Sequence, residues 1–251
     1  MKLGLIGAGN MASALARGMG EPVLVHDLDA ARASALAQEL GGEAVESNAE
    51  LADRADVVVL CHKPAQLDEV AAQVEGRASA VASILAATST DRIEVAYPDV
   101  PVYRFIPNIP AEVQQGVLCY SPGRLAAEGP EQELLALFGR AGAVIRLDEA
   151  LIEPAMALMS CGPAFMSLVA ESFADAGAAH GLAPEDARRM TVETMAGTAA
   201  WLGRHEYDLE DLRARVATPG GATERGLLRL ESEGLRDVCR AAVDAVVEGT
   251  R

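Results

Sequence analysis

With 251 residues, the chain is long enough for one large domain or two smaller ones, and it needs no covalent staples to hold a core. Half of its residues are hydrophobic but only 4% are aromatic, so Ala, Val, Leu and Met must build that core. A net charge of −16 repels phosphate backbones and anionic membranes, which argues against a nucleic-acid partner and leaves any anionic ligand dependent on local donors.

Seven apolar runs mark the first part as strand alternating with helix. They are "KLGLI" (2–6), "PVLVH" (22–26), "DVVVL" (56–60), "SAVASIL" (79–85), "PVYRFI" (101–106), "GVLCY" (116–120) and "AVIRL" (143–147). Near-continuous apolar strands with helices between them predict a mainly parallel sheet covered on both faces. After residue 150 the strand pattern stops. Phe165, Leu168, Val169, Phe173 and Ala176 share one helical face, and Met190, Met195, Ala199 and Leu202 come next on a second helix opened by Pro184. The expected division is an α/β domain over 1–150 and an all-helical domain over 151–251. The helices carry apolar residues on more than one side, which calls for burial against another subunit or against the first domain.

The cysteines Cys61, Cys119, Cys161 and Cys239 form no CxxC pair, and the four histidines are equally scattered, so neither a disulfide framework nor a metal site is expected. There is no signal-peptide pattern and no run of 18 apolar residues, so a cytoplasmic protein without a membrane span is expected. Lysine occurs only at Lys2 and Lys63, a composition that fits a salt-rich host and codon bias equally.

The first strand runs into G-x-G-x-x-A at Gly7, Gly9 and Ala12, directly before a helix carrying Met11, Leu15 and Met19. Gly7 permits a tight turn, Gly9 lets the backbone approach a pyrophosphate, and Ala12 lets the helix pack on the strand. The helix N-terminus then offers N–H groups to phosphate. Asp27, at the end of the second strand, is placed to accept the ribose 2′-OH of NAD and to repel the 2′-phosphate of NADP. It can equally cap the next helix, a role for which Asp29 competes, and Arg32 keeps a 2′-phosphate contact open.

Near the C-terminus, Asp208 opens a helix carrying Leu209, Leu212 and Val216, and Leu227, Leu228 and Glu231 belong to another. "ATPGGAT" (217–223) separates them. Glycine inside a helix costs about 1 kcal/mol relative to Ala, so two in a row have a purpose. One reading is an inter-helix turn with Thr223 as cap; the other is a loop whose bare backbone meets a ligand at a helix N-terminus.

Taken together these segments resemble pyrroline-5-carboxylate reductases over nearly the whole chain. "GLIGAGNMASAL" is similar to the family's opening turn, and "DVVVLCHKP" resembles a strand ending in V-K-P, here His62-Lys63-Pro64. "YRFIPNIPAEVQQGV" resembles the P-N-T-P segment, and "GPAFMSLVAESFADAGAAHGL" a helix beginning G-P-A-Y. "VATPGGATERGLLRLESEGLRDVCRAAVDA" resembles the S-P-G-G-[TA]-T signature and the helices after it. The resemblance implies an N-terminal Rossmann-type domain and a helical dimerisation domain. It also implies a homodimer or higher homo-oligomer whose active site lies between one subunit's nicotinamide and helices of the dimer region. The implied reaction is reduction of the C=N bond of 1-pyrroline-5-carboxylate to proline by NADH or NADPH, with Asp27 favouring NADH. Alternatives are reduction of another cyclic imine acid and a non-catalytic dinucleotide-binding subunit.

Carried over by resemblance, Gly7, Gly9, Asn10 and Met11 contact the pyrophosphate and its ribose. Asn48 lies near the adenosine ribose, with a helix cap as its plainer role, and Cys61, Lys63 and Pro64 lie on the nicotinamide ribose side. Thr218, Gly220, Gly221, Ala222 and Thr223 form the substrate loop, whose N–H groups hold the carboxylate while the Thr223 hydroxyl faces the ring nitrogen. Three places depart from the family: Met159-Ser160-Cys161 before G-P-A, Thr88 where a glycine is usual after "SILAA", and Ile109 in place of the threonine of P-N-T-P.

Overall fold

The computed structural model describes residues 1–249, which divide into two compact units, 1–160 and 161–249. The first unit alternates strand and helix: β1 (Leu3–Ile6), α1 (Asn10–Met19), β2 (Leu24–His26), α2 (Ala30–Glu39), β3 (Glu43–Ala44), α3 (Asn48–Arg54), β4 (Val57–Leu60), α4 (Leu67–Gln73), β5 (Val81–Ser83), α5 (Thr90–Ala96) and β6 (Val102–Pro107). Then come β7 (Gly116–Pro122), α6 (Glu131–Phe138), β8 (Gly142–Arg146) and α7 (Ile152–Met159). One sheet results, in the order β3-β2-β1-β4-β5-β6-β7-β8. All neighbours are parallel except β6 and β7. Only a short 3₁₀ stretch, Ile109–Val113, joins those two, which leaves no room for a crossover helix.

The strands are apolar at nearly every position because both faces are covered. Leu3, Leu5, Val57 and Val59 pack with Leu15 of α1, Leu36 of α2 and Phe138 of α6. Their neighbours Ile6, Val58 and Leu60 face the other way, onto Leu51 of α3, Val70 of α4 and Ile93 of α5. With so few aromatics, one cluster carries the aromatic packing of the first unit: Phe105 stacks on Tyr120 at 4.8 Å and on Phe138 at 4.3 Å. The β1-to-β4 neighbourhood is where the strand order reverses, and in such sheets ligands bind beyond the strand ends at that point.

Two expectations need correction. The residue after β5 in the left-handed region that favours glycine is Ala87, with φ 51°, and not Thr88. Thr88 is buried and donates its hydroxyl to Ala86 O at 3.1 Å. The first unit also extends past residue 150. Ile152 and Met159 of α7 are buried with Ile106 and Cys119, so these residues belong to the sheet's core.

The second unit contains α8 (Gly162–Ala179), α9 (Pro184–Gly203), α10 (Leu209–Val216), α11 (Ala222–Ser232) and α12 (Leu235–Gly249). Pro163 and Pro184 sit in the first turns of α8 and α9, where a missing N–H breaks no ladder bond. Asp208 caps α10, accepting from Glu210 N and Asp211 N. Within this unit the face expected from Leu168 and Phe173 is uncovered, at 62% and 51% exposure, and Met190 of α9 is 56% exposed. Within Glu149–Ala179 the mean hydropathy reaches 1.3, which by length and composition alone is apolar enough to cross a membrane. The stretch is broken, however, at Ser160 and Cys161 into α7 and α8.

A buried charge holds α7 to the sheet. Arg104 on β6 is 1% exposed and pairs with Glu149 through Nη1, with Glu153 3.7 Å from Nη2. Glu149 also accepts from Thr90 N at 3.0 Å and from the Thr90 hydroxyl at 2.6 Å. Burial pushes the Glu149 carboxyl up, but the Thr90 donors and the Arg104 cation outweigh it and hold the carboxyl below its ordinary value. Its stabilisation is therefore complete above the unfolded-state pKa and is lost as pH falls through the folded one. Glu149→Gln should destabilise the first unit by about 3 kcal/mol at pH 7, because a buried guanidinium loses its main counter-charge. Its melting temperature should converge with wild type only in acid, once pH falls through the lowered pKa of the native carboxyl and that group is neutral as well. Equal melting temperatures at pH 7 would refute the role.

Candidate functional site

The turn between β1 and α1 is shaped by two glycines with different reasons. Gly7 has φ 108°, and a Cβ there would meet Cys61 O at 2.8 Å, so neither its conformation nor its packing admits a side chain. Its N–H donates to His26 O at 2.8 Å, tying the turn to β2. Gly9 is the N-cap of α1, in extended conformation with no side-chain cap, and a Cβ there would meet nothing within 4 Å. Glycine at position 9 thus answers no internal packing demand. It leaves open space over the first turn of α1, where no acidic residue competes for the donors. That is a fit to a pyrophosphate. Asn10 and Met11 are the first residues of this turn, and Ala12 is buried, as its motif position requires.

Asp27 lies at the end of β2. One carboxylate oxygen accepts from Ala8 N at 2.7 Å and the other from Asp29 N at 2.8 Å. It does not cap α2; Asp29 does, accepting from Ala31 N and Arg32 N. Asp29 also holds Arg32 at 3.4 Å. Nor does Asn48 cap α3, since Ser47 accepts from Glu50 N at 3.1 Å. Instead Asn48 is buried, with Oδ1 2.7 Å from His26 Nδ1 and Nδ2 donating to Gln73 Oε1 at 2.6 Å. Gly7, Gly9, Asp27, Arg32, Asn48, Cys61 and Lys63 all line one cleft of about 350 Å³. Pro64 comes next, at the start of a 3₁₀ turn in which Gln66 accepts from Lys63 N at 3.2 Å.

His62 also lines this cleft, although no sequence pattern points to it. Its Nδ1 lies 2.9 Å from Lys63 O, so Nδ1 carries the donated proton, and Nε2 is buried without a partner. Burial pushes its pKa down, against the pull of the Lys63 carbonyl, which keeps the ring neutral near pH 7. Burial likewise pushes the Cys61 thiol up, so it is not a nucleophile at neutral pH. A larger cleft, about 600 Å³, opens between α4 and α5, but its charged lining is Asp68, Glu75 and Asp99, which suits no phosphate.

In the second unit, Thr218-Pro219-Gly220-Gly221 closes a turn with Gly221 N donating to Thr218 O at 2.8 Å. Proline second and a glycine at φ 73° third is the pattern of a type II turn. A Cβ on Gly221 would lie 2.5 Å from the Thr218 hydroxyl oxygen, so the second glycine is set by close approach. Gly221 is the N-cap of α11 and no side chain caps it, so Thr223 is not the cap. The expected carboxylate grip needs correction here. Gly220 N already donates to Glu224 Oε2 at 2.7 Å, and Gly221 N to Thr218 O. The donors left open are the first-turn N–H groups of Ala222, Thr223 and Glu224, which no helix can satisfy internally. Thr223, the second residue of this first turn, is exposed.

Asn108 has a structural role that its motif does not announce. It is buried and donates to Met159 O at 2.7 Å while accepting from Val117 N at 2.9 Å, so the asparagine of "PNIP" is a strut between β7 and the end of α7. Ile109 beside it is half exposed.

Residues 149–251 match the family model for the pyrroline-5-carboxylate reductase dimerisation domain, and residues 2–87 match that for coenzyme F420-dependent NADP oxidoreductases. The chain is 32% identical to a pyrroline-5-carboxylate reductase of Synechocystis sp. over 98% of its own length and 95% of the relative's. Among solved structures, a pyrroline-5-carboxylate reductase from Coxiella burnetii superposes with a TM-score of 0.90 at 28% identity, covering 99% of this chain and 96% of that one. A pyrroline carboxylate reductase from Plasmodium falciparum with NADP bound gives 0.86 at 25% identity, covering 100% and 97%.

The two glycines of the first turn should separate experimentally. Gly9→Val should fold with a melting temperature near wild type but weaken dinucleotide binding at least tenfold, since its side chain fills only the ligand's space. Gly7→Ala should lower the melting temperature itself. Gly9→Val binding NADH as wild type does, in a fluorescence titration, would remove the pyrophosphate from this turn.

Proposed function

The chain belongs to the pyrroline-5-carboxylate reductase family and reduces the C=N bond of 1-pyrroline-5-carboxylate to proline with a nicotinamide dinucleotide as hydride donor, and we propose that the loop opening α11 holds the substrate, with Thr223 serving its ring nitrogen. The observation that carries the proposal is the cluster of three open backbone donors at the N-terminus of α11, where Thr223 is an exposed first-turn residue.

The bound reduced nicotinamide supplies a hydride to the imine carbon. The chain's own residues do the rest by position. The N–H groups of Ala222, Thr223 and Glu224 hydrogen-bond the substrate carboxylate, and the helix dipole favours an anion there. The Thr223 hydroxyl donates to the ring nitrogen, where negative charge would otherwise develop during reduction. Thr218 packs its hydroxyl against Gly221 and so shapes the turn, while Pro219 stiffens it. Gly7 and Gly9 of the cleft, with Asn10 and Met11 of the first turn of α1, receive the pyrophosphate, and Cys61, Lys63 and Asn48, with Pro64 next to Lys63, border the riboses.

We read the cofactor preference as NADH. Asp27 presents a carboxylate held by two backbone donors, and Arg32 is shared with Asp29, so a 2′-phosphate meets charge repulsion at this ribose. The assembly we favour is a homodimer or a multiple of it, built on the uncovered faces of α8 and α9. A reducing cytoplasm suits four unpaired cysteines.

Thr223→Ala should keep NADH affinity and melting temperature but lower kcat/KM on the order of 10²-fold, as loss of one donor to developing charge does. Thr223→Ser should retain most activity. Steady-state rates for the alanine variant equal to wild type would sink the assignment. Separately, kcat/KM with NADH should exceed that with NADPH, and Asp27→Asn should narrow the ratio by removing the charge; a wild-type preference for NADPH would overturn this reading.

A further inference from the structure

The two residues after Thr223 grip the loop from both sides. Glu224 Oε2 accepts from Gly220 N at 2.7 Å, and Arg225 Nη1 donates to Gly220 O at 2.8 Å. These groups belong to the two peptide units on either side of the Gly220 Cα, so together they fix its φ and ψ. Gly220 is where fixing is needed most. It adopts φ 73°, nothing lies within 4 Å of where a Cβ would be, and glycine by itself is free to leave that conformation. The direction of the Gly220–Gly221 segment in turn aims the open N–H groups of Ala222 and Thr223. Neither side chain is explained by capping alone: the N-cap is Gly221, while Glu224 reaches one residue further back, to Gly220.

We propose that Glu224 and Arg225 are positioning residues that lock Gly220 and so pre-shape the carboxylate-binding backbone; this rests on reading that loop as the substrate site. What Glu224 contributes is an acceptor, not a charge. A carboxylate close to another anion's place is otherwise unfavourable, so the clamp acts despite its sign. Glutamine at this position keeps the acceptor and removes the repulsion.

Steady-state kinetics with 1-pyrroline-5-carboxylate and with 1-pyrroline, which lacks the carboxylate, tests this. Glu224→Ala and Arg225→Ala should each raise KM for the carboxylate-bearing imine about tenfold with kcat nearly unchanged, because misplaced donors weaken positioning. Arg225→Ala should leave kcat/KM for 1-pyrroline as in wild type. Glu224→Gln should behave as wild type or show a lower KM. The clamp is overturned by an unchanged KM in both alanine variants, by equal losses on the two imines in Arg225→Ala, or by Glu224→Gln failing as Glu224→Ala does. Should Glu224→Ala not fold, the glutamine and Arg225 variants decide the question in the same way. Wild type with equal KM for the two imines overturns the carboxylate reading of the loop itself, and the clamp with it.

Discussion

A helix begins with backbone donors that its own ladder cannot satisfy, and the way this chain treats those donors organises both candidate sites. The helices α2, α3, α5 and α10 satisfy them with Asp29, Ser47, Ser89 and Asp208. In contrast, α1 and α11 start on a glycine in nearly the same extended conformation, φ −72°, ψ 176° at Gly9 and φ −76°, ψ 173° at Gly221, with no side chain in the way. Donors withheld from internal capping are available to an anion. In a chain carrying a net charge of −16, such fixed dipoles are an effective way to receive pyrophosphate or carboxylate, since few free cations are at hand.

The surroundings of each start are then built to keep it open. At α1, Gly7 lies so close to Cys61 that the turn is pressed against the end of β4, and the Asp27 carboxylate pulls Ala8 N toward β2. The turn is therefore braced on both sides at the point where the strand order reverses. At α11, the Thr218–Gly221 turn bond and the Glu224 and Arg225 contacts do the same work with side chains from the helix itself. Rigid donors need little reorganisation when charge arrives, which is the condition for electrostatic catalysis.

Much of this is legible in the residues alone. Long apolar strands, the glycine turn and the "ATPGGAT" loop are local patterns with strong physical signatures, so periodicity and turn chemistry find them. The features that escape such a reading depend on partners distant in sequence. The two-residue strand β3 has no alternation to detect, and it exists because β2 offers it a ladder. α7 reads as the start of a helical domain, yet its burial against Ile106 and Cys119 places it with the sheet. Gly220 and Gly221 suggest free donors by their bareness, but Glu224 Oε2 and Thr218 O already take those hydrogens, and only geometry reveals it. Asn108 looks like part of a motif and is a strut. The shift from Thr88 to Ala87 rests on a single φ value, which a pattern with one residue of slack cannot settle.

Within the second unit, Ala174 and Ala187 are the apolar side chains that are fully buried among the described residues, while Leu168, Phe173 and Met190 lie open. A unit spanning residues 161–249 with so thin an interior has little buried apolar area of its own to stabilise it. Association that covers those faces couples their order to protein concentration by mass action. Dilution then acts on this half of the chain in the same sense as heating acts on an ordinary domain.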